Sequence, residues 1–207
     1  MKKENSSNLA AAVALNTRFG KSGFIMVETL VSVTIILVAI PAILGMAIKG
    51  ITLGVNAKNQ MIATYLAEEP IEQVRARRDF NLMNIEANPT GTTDWDDGFS
   101  NPGEKCKAKG CIINPLASDI NQVITTAGGN FDTTPPPQEF RLYLDANGIY
   151  SPVAGGTPSP FYRVTYVQKT TGPWGGDIYT ITTQVKWQTG FAEKMISVTG
   201  LVSRWLQ

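Results

Sequence analysis

Three side chains stand out as able to do chemistry: the carboxylate of Glu28 and the thiols of Cys106 and Cys111. The chain has no His at all. That removes the commonest general base and the commonest transition-metal ligand, so neither a His-based triad nor a His-ligated metal is available. Two cysteines cannot supply a four-thiolate zinc site. They lie in Lys-Cys-Lys-Ala-Lys-Gly-Cys, where a disulfide closing a small loop and two free thiols on a surface loop are both open readings. Lys105, Lys107 and Lys109 make that loop basic, which suits a solvated surface and, as an alternative, contact with DNA or another anionic surface. Asp94, Asp96 and Asp97 before Gly98, and Asp145 and Asn147 before Gly148, look partly like calcium loops. Neither gives the full ligand spacing, and turn chemistry accounts for both. No nucleophile-and-base arrangement, metal or cofactor is expected, and no enzymatic activity.

Glu28 matters because of what surrounds it. Residues 29–48 contain no charged side chain. The stretch 24–48, 25 residues long, would reach about 37 Å as a helix against a hydrocarbon core of roughly 30 Å, so it can span a membrane with some tilt. Residues 1–23 carry Lys2, Lys3, Arg18 and Lys21 against Glu4, a net of +3. That bias keeps the amino-terminal end cytoplasmic and places the remainder outside. No small-residue cleavage site of the secretory kind follows Ile48, so the helix is expected to be retained.

The periodicity continues past the span. Val55, Ile62, Leu66 and Val74, with Tyr65 beside them, predict an amphipathic extension over residues 49–79. Pro41 and Pro70 each remove a backbone donor, and Gly45, Gly50 and Gly54 lower helix propensity, so kinks are expected. Gly50 and Gly54 read as loosening the helix rather than as a contact motif, and residues 41–54 are expected to become partly extended in an assembled filament. Residues 80–138, rich in Asn, Gly, Pro and Asp, read as irregular connection.

Residues 139–207 read as an antiparallel sheet. Phe140, Leu142 and Leu144 lead through Asn147-Gly148 to Ile149 and Tyr150 as a hairpin. Tyr162, Val164 and Tyr166 mark the next strand; Tyr179, Ile181, Val185 and Trp187 mark a longer one; and a last strand runs from about Lys194 to Trp205. The expected result is a meander with one apolar face, covered by the amphipathic half of the helix. Trp174, Trp187, Trp205 and Tyr179 are expected to pack rather than to form a binding stripe. The fold class is therefore α+β: a long membrane-spanning amino-terminal helix packed on a small antiparallel sheet. The net charge of +1 points to no polyanionic partner.

Gly23-Phe24-Ile25-Met26-Val27-Glu28, after a basic leader and at the head of a retained apolar helix, resembles the type IV prepilin signal. The likeness extends through Leu66-Ala67-Glu68-Glu69 and Ile71-Glu72-Gln73-Val74 and, more loosely, into the carboxy-terminal strands. It implies a minor pilin or pseudopilin of the type IV pilus and type II secretion superfamily. In that family a membrane peptidase cuts between the Gly and the aromatic residue, and the new amine is methylated. Here cleavage would follow Gly23, Phe24 would be methylated, and 184 residues would remain, 207 less 23. Glu28 would pair with the amine of Phe24 on the same or a neighbouring subunit. A carboxylate within a membrane helix costs about 2.5 to 3.5 kcal/mol on insertion scales and so calls for a partner. The position of Pro41, a few residues early, and Thr29 in place of an aliphatic residue depart from the family pattern and point to a minor subunit. The resemblance implies as partners other pilins, the prepilin peptidase, and an inner-membrane platform with its ATPase. An uncleaved single-span anchor and a tip-borne binding module are the competing expectations.

Overall fold

The computed structural model of the chain describes residues 20–99, 106–107, 109–114, 124–173, 175–190 and 192–204, with the backbone alone at 20–23 and 124–126. Most of the expected leader, Lys105, Trp174 and Trp205 lie outside the described residues. The elements run α1 (Gly20–Ala87), β1 (Cys111–Ile113), β2 (Ile124–Thr126), a single 3-10 turn (Gln138–Phe140), β3 (Arg141–Leu144), β4 (Tyr150–Ser151), β5 (Thr157–Thr171), β6 (Asp177–Thr189) and β7 (Ala192–Ser203). The class is α+β, one long apolar amino-terminal helix and an antiparallel sheet. The chain divides into two units, Met1–Val55 and Asn56–Gln207.

The helical part of the first unit has almost no buried side chain, and its apolar residues from Phe24 to Val55 are uniformly exposed. The hydroxyls within it are satisfied by the helix itself. Thr29 donates to the Met26 carbonyl at 3.0 Å, Ser32 to that of Glu28 at 2.8 Å and Thr34 to that of Val31 at 2.7 Å. The helix continues through Pro41 and Pro70, although each proline lacks a donor for the preceding turn.

In the second unit, α1 lays Ala63, Leu66, Ala67, Ile71, Val74 and Leu82 against the sheet. Val55, placed on the apolar stripe by spacing, and Tyr65, expected beside it, are exposed. The helix ends at Ala87 rather than near Asp79. Its last two turns hold because Leu82 is buried and the side chain of Asn81 donates to the carbonyls of Trp95 and Asp97 at 3.1 and 2.9 Å. Asn88-Pro89 then stops it.

The sheet is not a plain meander. Its hydrogen-bonded path is β2-β1-β5-β3-β4, and β6 joins the other side of β5 and carries β7. The long β5 pairs along its length with β6, from Phe161↔Trp187 to Thr171↔Asp177, and meets β1 at Cys111↔Thr165 and β3 at Arg141↔Tyr162 on its other side. Residues 80–138, expected to be connection alone, thus supply two strands and part of the core. Among the described residues there, Leu82, Trp95, Phe99, Cys106, Cys111, Ile113, Ala127 and Phe131 are buried.

The expectation of a single apolar face also fails at β5. Tyr162, Val164 and Tyr166 do pack, but against Ala127, Phe131 and Phe140 on the side away from the helix. The helix side of β5 is Phe161, Arg163, Thr165 and Val167, opposite Trp187, Val185, Thr183 and Ile181 of β6. Both faces of the strand are therefore covered. On β6 the expected set, Tyr179, Ile181, Val185 and Trp187, does face the helix.

Candidate functional site

Gly23 and Phe24 lie in the opening turns of α1, so the bond expected to be cut is part of the helical backbone. Phe24 is exposed, as is Glu28 one turn later, and the i to i+4 spacing puts both on the same side of the helix. Among the described residues Glu28 has no ion-pair partner. Because the neighbouring hydroxyls are bonded back to the helix, the surface from Phe24 to Ile48 presents hydrocarbon broken by one carboxylate. Among the described residues one helix, this one, is long and apolar enough to cross a membrane, with a mean hydropathy of 2.6 over its apolar part. In a bilayer, a carboxylate at that place on the helix would call for a cation supplied by another group.

Cys106 and Cys111 are joined in a disulfide with Cα atoms 5.0 Å apart. The loop reaches the surface, but neither cysteine side chain does. Both are fully buried in the cluster that includes Trp95, Phe99 and Tyr179, while Lys107 and Lys109 between them are exposed. Gly110, at φ 78°, turns the chain from this loop into β1, and its Cα hydrogens face Val164 too closely for any side chain.

The carboxylates that looked partly like calcium ligands serve turns. Asp97 accepts from the Asp94 amide at 2.8 Å, and Asp94 accepts from the Trp95 amide at 2.8 Å. Asp96 is buried and accepts from the Tyr179 hydroxyl at 2.6 Å. Burial first, and this bond with Asp96 second, push the Tyr179 phenol well above its ordinary value. Asp145 Oδ1 accepts from the amides of Asn147 and Ile149 at 2.9 and 2.8 Å, closing the hairpin at Gly148. Among the described residues no three ligand-type side chains come together to hold a metal.

One buried ion pair holds the fold together under the helix. The Arg163 guanidinium, buried under the helix, forms an ion pair with Glu69 and donates to the carbonyls of Leu66 at 3.1 Å and Ile113 at 3.0 Å. It ties α1, β5 and β1 together. Burial lowers its pKa from the ordinary value, and Glu69 opposes that shift. The available signal was strand parity: counted from Phe161 rather than Tyr162, the alternation places Arg163 on the helix side.

Compared with family models, with curated proteins and with solved structures, the chain matches none.

Proposed function

We propose that the chain is a filament subunit of the type IV pilin and pseudopilin kind, stored in a membrane and then built into a pilus or secretion pseudopilus. On this reading a prepilin peptidase cuts after Gly23 and the amine of Phe24 is methylated. Residues 24–48 hold the subunit in the inner membrane, with the leader in the cytoplasm and residues 56–207 outside. Other pilins, a membrane platform and its ATPase are the partners. The chain performs no catalysis.

The observation that carries the reading is the lone carboxylate of Glu28, one turn from Phe24, on an exposed apolar helix whose later turns close a β-sheet. An isolated anchor gains nothing from an acid at that depth. A polymer does, because the ammonium group that proteolysis creates at Phe24 can neutralise Glu28 as apolar helices pack, and the pair then fixes their register. Mass analysis of the mature amino terminus from the native cell tests this. The expected species begins at Phe24 and is one methyl group heavier than the unmodified chain. A mature protein that still begins at Met1 means an uncleaved anchor and ends the proposal.

A further inference from the structure

The last strand, β7, is twelve residues long, and among the described residues it pairs with β6 alone. Its register with β6 is continuous from Ile178↔Ser203 to Thr189↔Ala192, without a bulge. On the unpaired side every second residue offers an amide and a carbonyl. Natural sheets blunt such edges with Lys, Pro, bulges or a covering segment, because an open edge is a template for another strand. Here Glu193 and Lys194 stand at the start, and residues 195–203 carry no charge and no proline. Among the described residues the edge is long and regular, and the side chain that reaches its backbone is Arg78, which donates to the Ser203 carbonyl at 3.5 Å.

Beside it runs a groove of about 250 Å³ between α1 and residues 198–200 of β7, floored where Ile71 approaches Gly200. Its helix wall bears Glu68, Glu72 and Arg75. Arg75 is already bonded to Glu72 at 2.6 Å, whereas Glu68 is exposed and has no ion-pair partner among the described residues. The groove is therefore acidic by one exposed carboxylate, unpaired among the described residues.

We propose that the free edge of β7 is a strand-addition site for an extended segment of another protein, one that alternates small or β-branched residues with a Lys or Arg set against Glu68. Backbone hydrogen bonds to β7 would supply the affinity, and the groove and Glu68 would supply the choice of side chains. A second copy of this chain fits less well. Antiparallel self-pairing of β7 would bring the same acidic helix wall to both sides of the junction, with Glu68 approaching its own equivalent. The site does not depend on processing at Gly23.

The test uses the full chain in detergent and a displayed library of random twelve-residue peptides. Enriched peptides are expected to carry a basic residue within a β-branched run. On binding they should slow amide hydrogen exchange at alternate residues of β7 by at least tenfold, with no comparable change elsewhere. Glu68→Gln should weaken the basic peptides several-fold while leaving the exchange pattern of the free protein unchanged. Three results would overturn the assignment: no enrichment, protection confined to surfaces other than β7, or protection of β7 that rises with protein concentration in the absence of peptide. The last would mean that the edge takes a second copy.

Discussion

Ile71 stands directly on Gly200: a Cβ built at Gly200 would lie 2.6 Å from Ile71 Cγ2. The approach lets α1 cross β7 closely enough for Ile71 and Val74 to join Ile181 and Val202 in one cluster. Gly200→Ala should therefore act as overpacking. A branched methyl next to the Ile71 backbone cannot swing away, so the helix must lift, at about 1 to 3 kcal/mol. Urea unfolding of the full chain should show this loss. Adding Ile71→Ala should recover part of it, because the two changes share one contact. Strict additivity of the two losses would mean that the contact does not set the helix position.

The pair formed by Glu69 and Arg163 is unequal in exposure: the Arg163 side chain is 3% exposed and that of Glu69 31%. The two removals should differ accordingly. Glu69→Gln leaves a buried guanidinium with two carbonyls and no counter-ion, and should cost about 3 to 5 kcal/mol. Arg163→Met keeps the packing and leaves Glu69 to water and the carbonyls of Leu66 and Ile113 without a donor, at about 1 to 3 kcal/mol. Chemical denaturation of both variants decides it. Equal losses, or a larger loss for Arg163→Met, would place the energy in the carbonyl contacts instead.

Which parts of this were readable in the sequence follows from how local each signal is. The apolar helix and its single acid are visible because residues 29–48 lack any charge, a property of one contiguous stretch. The hairpin at Gly148 is visible because Asp145, Asn147 and Gly148 make their turn among themselves. The helix-facing side of β6 is visible because its alternation is unmixed. β5 is apolar on both parities, at Phe161 and Val167 on one and Tyr162, Val164 and Tyr166 on the other, so period-two counting has no unique answer there. Trp95 and Phe99 sit among Asp, Gly and Thr, and only the fold, through edge-on contacts with Tyr179 at 5.7 and 5.1 Å, gives them a place in the core. The junction of Glu69 with Arg163 spans 94 residues, so parity can put Arg163 on the helix side of β5 but cannot name its partner.

Tyr179 gives an alkaline signature. Its pKa is raised in the folded chain, by burial first and by Asp96 second, so the neutral phenol is favoured on folding. The stabilisation is complete below the ordinary tyrosine value of about 10 and is lost as pH rises beyond it, at up to about 1.4 kcal/mol per pH unit for one group. Tyr179→Phe removes this dependence and should cost about 1 to 3 kcal/mol at neutral pH, since Asp96 loses its donor. The variant keeps the smaller contribution of Tyr166, whose pKa burial also raises. Stability measured across pH 9 to 12 should fall less steeply for the variant than for the parent chain. Parallel slopes would show that the phenol titrates freely.

The disulfide between Cys106 and Cys111 closes its loop inside the core, where Cys106 and Cys111 pack with Trp95 and Phe99. With both sulfurs buried, a thiol reagent must wait for local opening, so the native chain should take up no alkylating agent, with or without mild reductant. After unfolding and reduction it should gain two hydrogens and then label at both positions. Replacing both residues with Ser removes the cross-link and puts two hydroxyls among aromatic side chains. The loss should be about 2 kcal/mol or more, since the loop is short and the hydroxyls add their own desolvation. It should be accompanied by faster exchange of the β1 amides, because β1 begins at Cys111 and meets β5 there through Thr165. Alkylation of both cysteines in the native, unreduced protein would identify free thiols and remove the anchor from the start of β1.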